Sequence, residues 1–171
     1  VNPFTLSEVW LILKHVRADY KPYYTIRFFT GMRTSEIDGL KWDCINFDRR
    51  EISIRGALVN GEMGPTKTLG SQRDIAMSQL VYDALLEQKA RTFGKSEFVF
   101  CNSQGNPMEY RNVNRRVWKP TLALLGLKHR RAYQTRHTAA TLWLAAGENP
   151  EWIARQMGHS STEMLFRVYS R

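Results

Sequence analysis

Residues 130–171 read RRAYQTRHTAATLWLAAGENPEWIARQMGHSSTEMLFRVYSR. The apolar spacing predicts three helices in this stretch, over Thr135 to Ala146, Pro150 to Met157, and Thr162 to the end of the chain. Gly147 and Gly158 are the expected stops, because a helix closes readily on a residue that tolerates a left-handed backbone. Ser160 opens a capping box that Glu163 closes.

Working back from this stretch, the chain reads as helical from Tyr110 onward, with a helix from roughly Val113 to Leu125 ending at Gly126. At the other end, Thr5 and Glu8 form a T-x-x-E capping box ahead of Leu6, Val9, Trp10, Leu13 and Val16, which predicts a helix to about Ala18. Pro22 suits a first helical position, and Tyr24, Ile26, Phe28 and Phe29 carry a second helix that stops near Gly31. A shorter helix starts around Thr34, with Leu40 and Trp42 packing inward. Between the helical ends, Glu51 to Arg55 and Arg73 to Met77 alternate as strands do, with glycines at 56, 61, 64 and 70 between them. A helix is expected over Val81 to Thr92, a short buried strand over Phe98 to Phe100, and a turn at SQGNP. No repeat, low-complexity tract or internal linker breaks the chain, so 171 residues with 43% hydrophobic content predict one domain with a sizeable core.

No apolar run approaches the ~20 residues of a spanning helix, and VNPFTLSEVW lacks a signal-peptide pattern. A soluble, cytoplasmic protein is expected. Cys44 and Cys101 stand alone without a CxxC pair, which argues against a disulfide framework or a zinc site and fits a reducing compartment. The net charge of +9 favours polyanionic partners. The basic residues cluster: Arg111, Arg115, Arg116, Lys119, Lys128, His129, Arg130, Arg131 and Arg136 fall in a run to His137 with no acidic side chain. Arg111, Arg115, Arg116, Lys119, Arg130 and Arg131 are the candidate nucleic-acid contacts.

Four places carry groups suited to a phosphate. In TGMRTSEIDGLKW, Arg33 lies in the turn before a helix, beside unpaired amides that favour an anion. Taken alone, pairing with Glu36 or Asp38 is the simpler reading of this arginine. In GPTKTLGSQRDIAM, Lys67 lies ahead of a strand, where it is either a reaching hairpin residue or a solvated one; a P-loop is excluded because Thr66, not Gly, precedes it. YQTRHTAAT sets Tyr133, Arg136 and His137 at a helix start with no acidic neighbour in sequence. QMGHSSTEM holds His159 at a helix junction, as a cleft residue or as a cap. The one ExK run, Glu87 to Lys89, sits on an ordinary amphipathic helix, so no metal or other cofactor is expected.

In chain order, the arginine of TGMR, the lysine of TKTLGSQR, a [H/Y]xxR helix start, GHSS and a terminal tyrosine resemble the catalytic domain of tyrosine recombinases. The likeness is greatest to the phage integrase branch, and it runs from PFTLSE to VYSR. It implies an α+β fold, mainly α-helical with a small antiparallel three-stranded β-sheet, of the type shared with type IB topoisomerases. It also implies that residues 1–171 are a single catalytic domain of a longer protein, without the amino-terminal DNA-binding region and carboxy-terminal tail. By the same resemblance, Arg33 and Arg136 are the two catalytic arginines, Lys67 the hairpin lysine, His159 the histidine and Tyr169 the nucleophile, while Glu36 orients the arginine cluster. The implied reaction is metal- and ATP-independent breakage and rejoining of double-stranded DNA through a 3′-phosphotyrosyl intermediate. A homotetramer on DNA is implied for the full-length protein, with accessory bending or directionality proteins, and a monomer for this chain alone.

Two positions depart from the family pattern. Tyr133 stands where a histidine is usual, and a phenol, ionising near pH ~10, is a poor base at neutral pH. Tyr169 follows His159 by ten residues, one more than is common. One residue turns a helix by about 100°, which the junction must absorb. The alternatives are a type IB topoisomerase, which relaxes DNA without exchanging partners, and a non-catalytic basic DNA-binding module in which Tyr169 is a core or surface residue.

Overall fold

A computed structural model describes residues 1–169. Ser170 and Arg171, into which the last expected helix runs, lie outside the described residues. In chain order the elements are α1 (Leu6–His15), α2 (Lys21–Thr30), α3 (Thr34–Asp38), β1 (Ile45–Asn46), β2 (Glu51–Ile54), β3 (Ala57–Val59), β4 (Glu62–Gly64), β5 (Arg73–Ala76), α4 (Gln79–Thr92), α5 (Tyr110–Val113), α6 (Lys119–Leu124), α7 (Gln134–Ala145), α8 (Pro150–Met157) and α9 (Thr162–Tyr169). The sheet is three-stranded and antiparallel in the order β1-β2-β5, and β3-β4 form a separate hairpin. The α+β architecture read from the sequence is present.

Local chemistry explains most of the ends. The Thr5–Glu8 capping box is formed in both directions and starts α1. Gly31 (φ 67°) and Gly158 (φ 71°) close α2 and α8 in the left-handed region. On α1, Val9, Ile12 and Leu13 are buried, whereas Leu6 and Trp10 lie on the exposed side.

Two expectations are corrected. Val99 and Phe100 are buried and Phe98 partly so, but they form no strand: Phe98 makes an isolated bridge to Lys41, and the Val99 carbonyl is taken by the side chains of Gln88 and Thr92 rather than by a neighbouring strand. The expected helix Val113 to Leu125 contains a π-helical turn over Asn114–Trp118. Pro120 follows that turn; it offers no N–H to the carbonyl four residues back and its ring crowds it, which loosens the preceding ladder.

The core centres on Trp118, fully buried, with its ring stacked on Tyr24 (5.1 Å between centroids) and edge-on to Phe4 (5.7 Å). Its indole N–H donates to the Arg130 carbonyl (2.7 Å), so the aromatic buries no unpaired polar atom. A second apolar cluster, Ala140, Ile153, Met157 and Leu165, joins α7, α8 and α9. Between the two clusters, the buried Arg27 of α2 donates to Thr34 Oγ1 (2.7 Å), Thr135 Oγ1 (3.1 Å), the Ala132 carbonyl (2.9 Å) and Tyr23 Oη (3.0 Å). It thereby fixes the starts of α3 and α7, the residues next to Arg33 and Arg136.

Candidate active site

Arg33 caps α3. Its N–H donates to Glu36 Oε1 (2.9 Å), and its guanidinium reaches Glu36 Oε2 (3.3 Å) and Ser71 Oγ (3.4 Å). Glu36, almost fully buried, takes two further bonds from Arg73 of β5, Nη1 to Oε2 (2.9 Å) and Nη2 to Oε1 (3.0 Å). Burial alone would raise the Glu36 carboxyl. The hydrogen bonds and charge of Arg73, with the Arg33 N–H, outweigh it and leave the pKa lowered. Arg73 also donates to the Gln156 and Ser71 carbonyls (2.9 and 2.6 Å), tying the sheet to α8.

Arg136 is 2% exposed and has no carboxylate partner among the described residues. Its Nη1 donates to the Gly31 carbonyl and Nη2 to the Met157 carbonyl, both at 2.6 Å. These carbonyls close α2 and α8, where backbone dipoles carry partial negative charge. Burial lowers its pKa to about 10, with the charges of Arg33 and then Arg73 adding to the effect.

His159 follows the left-handed Gly158, and its N–H donates to the Ala154 carbonyl (2.9 Å). Its Nδ1 is buried without a partner among the described residues. Burial, then Arg136, Arg33 and Arg73, lower its pKa to about 4, so the ring is neutral at pH 7. Tyr169 ends α9, which Leu165 anchors in the second cluster. Its hydroxyl lies 2.5 Å from His137 Nδ1, and burial raises its pKa to about 12. The extra residue between His159 and Tyr169 is accommodated in this placement.

Arg33, Glu36, Arg136, His159 and Tyr169 are therefore brought together, with Arg33 and Arg136 acting electrostatically on both His159 and Tyr169. Tyr133 is exposed and meets the cluster through an edge-on contact with the His137 ring (5.1 Å between centroids). Lys67 is exposed in the segment after β4, not at the β3-β4 tip, and among the described residues it makes no hydrogen bond or ion pair. Its neighbours Thr66 and Thr68 are fixed: Thr66 Oγ1 donates to the Thr68 carbonyl, and Thr68 Oγ1 bonds Ser71 Oγ, which meets Arg33. Arg111, Arg115, Arg116, Lys119 and Arg131 are exposed. Arg130 is engaged internally, paired with Glu8 (3.1 Å) and lying over the Phe4 ring (4.2 Å).

Sequence reasoning gave no role to two residues, Arg73 and His137. Arg73 looks like any alternating strand residue, and nothing in the sequence marks its contact with Glu36. His137 was visible in YQTRHTAAT, four residues after Tyr133 and so on the same helical face. Three guanidiniums, Arg33, Arg73 and Arg136, surround one carboxylate, Glu36, for a net +2 with both histidines neutral. Such a site attracts an anion and places a tyrosine hydroxyl beside it. Among the described residues no group of three or more His, Cys, Asp or Glu could hold a metal ion, and no helix is long and apolar enough to cross a membrane.

A family profile described as "Phage integrase family" matches residues 5–171. The prophage integrase IntR of Escherichia coli (strain K12) is 27% identical over 192 residues, covering 98% of this chain and 47% of the relative. The chain spans about half the length of the curated relatives it matches. A Tn1549 transposon integrase solved in complex with a circular intermediate DNA shares the fold, with a TM-score of 0.87 at 22% identity over 99% of this chain and 61% of that one. A lambda integrase tetramer bound to a Holliday junction also matches, with a TM-score of 0.71 at 15% identity over 94% of this chain and 47% of that one.

Proposed function

This chain belongs to the phage integrase family of tyrosine recombinases, and from that premise we propose that it is the catalytic domain of a site-specific recombinase that cuts and rejoins DNA through Tyr169. The observation that carries the proposal is the meeting of a half-buried tyrosine hydroxyl with Arg33, Arg136 and His159 around one net-positive site.

In the proposed reaction Tyr169 Oη attacks a DNA phosphodiester. A 3′-phosphotyrosyl bond forms and the P–O5′ bond breaks, releasing a 5′-hydroxyl. Because the bond energy is kept in the intermediate, a second 5′-hydroxyl reseals the strand without ATP or metal. A guanidinium has five N–H donors, of which Arg136 commits one to each of two carbonyls, so the rest remain for non-bridging oxygens. Arg33 does the same from the opposite helix start, and both stabilise charge that grows in the transition state. His159 donates one more hydrogen bond. Lys67 is the general acid for the leaving oxygen, carried in by its exposed segment when DNA binds. Glu36, held by Arg73, keeps Arg33 in position.

The substrate is double-stranded DNA, contacted outside the site by Arg111, Arg115, Arg116, Lys119 and Arg131, with Arg130 a lesser candidate because it is already paired. The full-length protein would act as a tetramer in a bacterial host, consistent with its phage and prophage relatives. Incubation with a nicked suicide substrate should yield a denaturation-resistant protein–DNA adduct that Tyr169→Phe abolishes. An adduct that survives that substitution would sink the assignment of Tyr169, and no adduct at all would leave a DNA-binding module. Strand exchange between two sites separates recombination from simple relaxation.

A further inference from the structure

Tyr133, which caps the start of α7, and His137 on α7 are one helical turn apart and face the same way. The phenol at 133 does not touch Tyr169 by any hydrogen bond among the described residues; its ring edge packs against the imidazole of His137 instead. His137 completes the approach, with Nδ1 2.5 Å from Tyr169 Oη and the two rings 5.4 Å apart. Its surroundings settle which partner donates. Arg136 lies next to it on α7, and Tyr169 and His159 face it from α9 and the α8-α9 junction. Burial, reinforced by the charge of Arg136, lowers the His137 pKa to about 4, and burial raises that of Tyr169 to about 12. The imidazole is therefore neutral with its proton on Nε2, and Nδ1 accepts from the phenol.

We propose that His137 is the general base for the tyrosine nucleophile, replacing from one turn further along α7 the base that a phenol at position 133 cannot supply. The inference rests on Tyr169 being that nucleophile. In the forward step the Tyr169 O–H bond breaks as the Oη–P bond forms, and the proton passes to Nδ1, leaving an imidazolium. The P–O5′ bond breaks and the 5′ oxygen leaves with a proton from Lys67. In resealing, a 5′-hydroxyl attacks phosphorus and its proton returns to the deprotonated lysine, while Tyr169 Oη departs and takes back the proton from Nδ1. The incoming phosphodiester offsets the charge of Arg136, which makes the imidazolium easier to form in the complex than in the free protein.

The test is single-turnover adduct formation on a suicide substrate across a pH series. His137→Gln keeps an acceptor of similar size but cannot take the proton, so the rate should fall by about 10² to 10⁴. Its rate should also rise steadily with hydroxide through neutral pH, whereas the parent stays flat. His137→Gly should recover part of the rate with added imidazole, in proportion to the free-base form. A Gln variant within about threefold of the parent, with an unchanged pH profile, overturns the inference. A slower Gln variant with the parent's pH profile and no imidazole rescue of the Gly variant also overturns it, leaving His137 a positioning residue. Loss of the adduct from the unsubstituted protein, or its survival in Tyr169→Phe, overturns the Tyr169 reading itself and is distinguishable from both results.

Discussion

At the scale of single residues the site is held by backbone as much as by side chains. Arg136 spends its buried guanidinium on the carbonyls that end α2 and α8, so an ammonium cannot replace it: Arg136→Lys reaches at most one of the two. Leaving one buried carbonyl unpaired should cost about 1–3 kcal/mol in urea unfolding, and adduct formation should drop with it. An unchanged unfolding midpoint would show that the carbonyl contacts are dispensable. Arg33 is less committed, with 19% of its side chain exposed. Arg33→Ala should slow adduct formation by about 10² to 10³, the loss typical of one transition-state donor; single-turnover kinetics would measure it. Arg33, Arg136, His159 and Tyr169 were legible because their order along the chain resembles a family pattern, although each is weak alone. Arg73 and His137 went unassigned because their roles depend on which elements meet, and only the fold brings β5 to α3 and α9 to α7.

At the scale of elements, the glycine-closed helix ends differ in what surrounds them. Gly158 and Gly147 both have positive φ, but a methyl group on Gly158 would lie 2.8 Å from Arg73 Nη1, whereas one on Gly147 meets nothing within 4 Å. Gly147→Ala should therefore cost only the left-handed penalty of about 1–2 kcal/mol. Gly158→Ala should cost more and also disturb the Arg73–Glu36 pair; equal losses in chemical denaturation would contradict this. These stops were legible from the sequence, as were the Thr5–Glu8 box and the two longer strands, because each is decided by adjacent residues. The β3-β4 hairpin carried a local signal too, Asn60-Gly61, with both residues at positive φ. The Phe98 to Phe100 strand failed because burial and β-branching do not provide a partner. The π-helical turn before Pro120 was missed because apolar periodicity continues through it.

Across the whole molecule, acid should weaken the fold. His137 and His159 both fall from 6.5 to about 4, so the native state favours their neutral forms; the stability this gives is present above pH 6.5 and is lost as pH falls toward 4. Glu36, also lowered, adds a loss below its ordinary value of 4.5. Asp38, raised by burial from 3.8 to about 6, works in the opposite direction over that range. Thermal unfolding midpoints should fall between pH 6.5 and 4, and a midpoint that rises on acidification would mean that Asp38 dominates. The crowding of Arg33, Arg73 and Arg136 around Glu36 has a further consequence, a conflict between durability and work. These like charges repel one another, so an oxyanion bound among them should raise the melting temperature by mass action, with sulfate exceeding chloride at equal ionic strength. Removing one like charge by Arg33→Met should give a hardier protein that cuts DNA about 10² to 10³ more slowly, a molecule improved as a solid object and blunted as a tool.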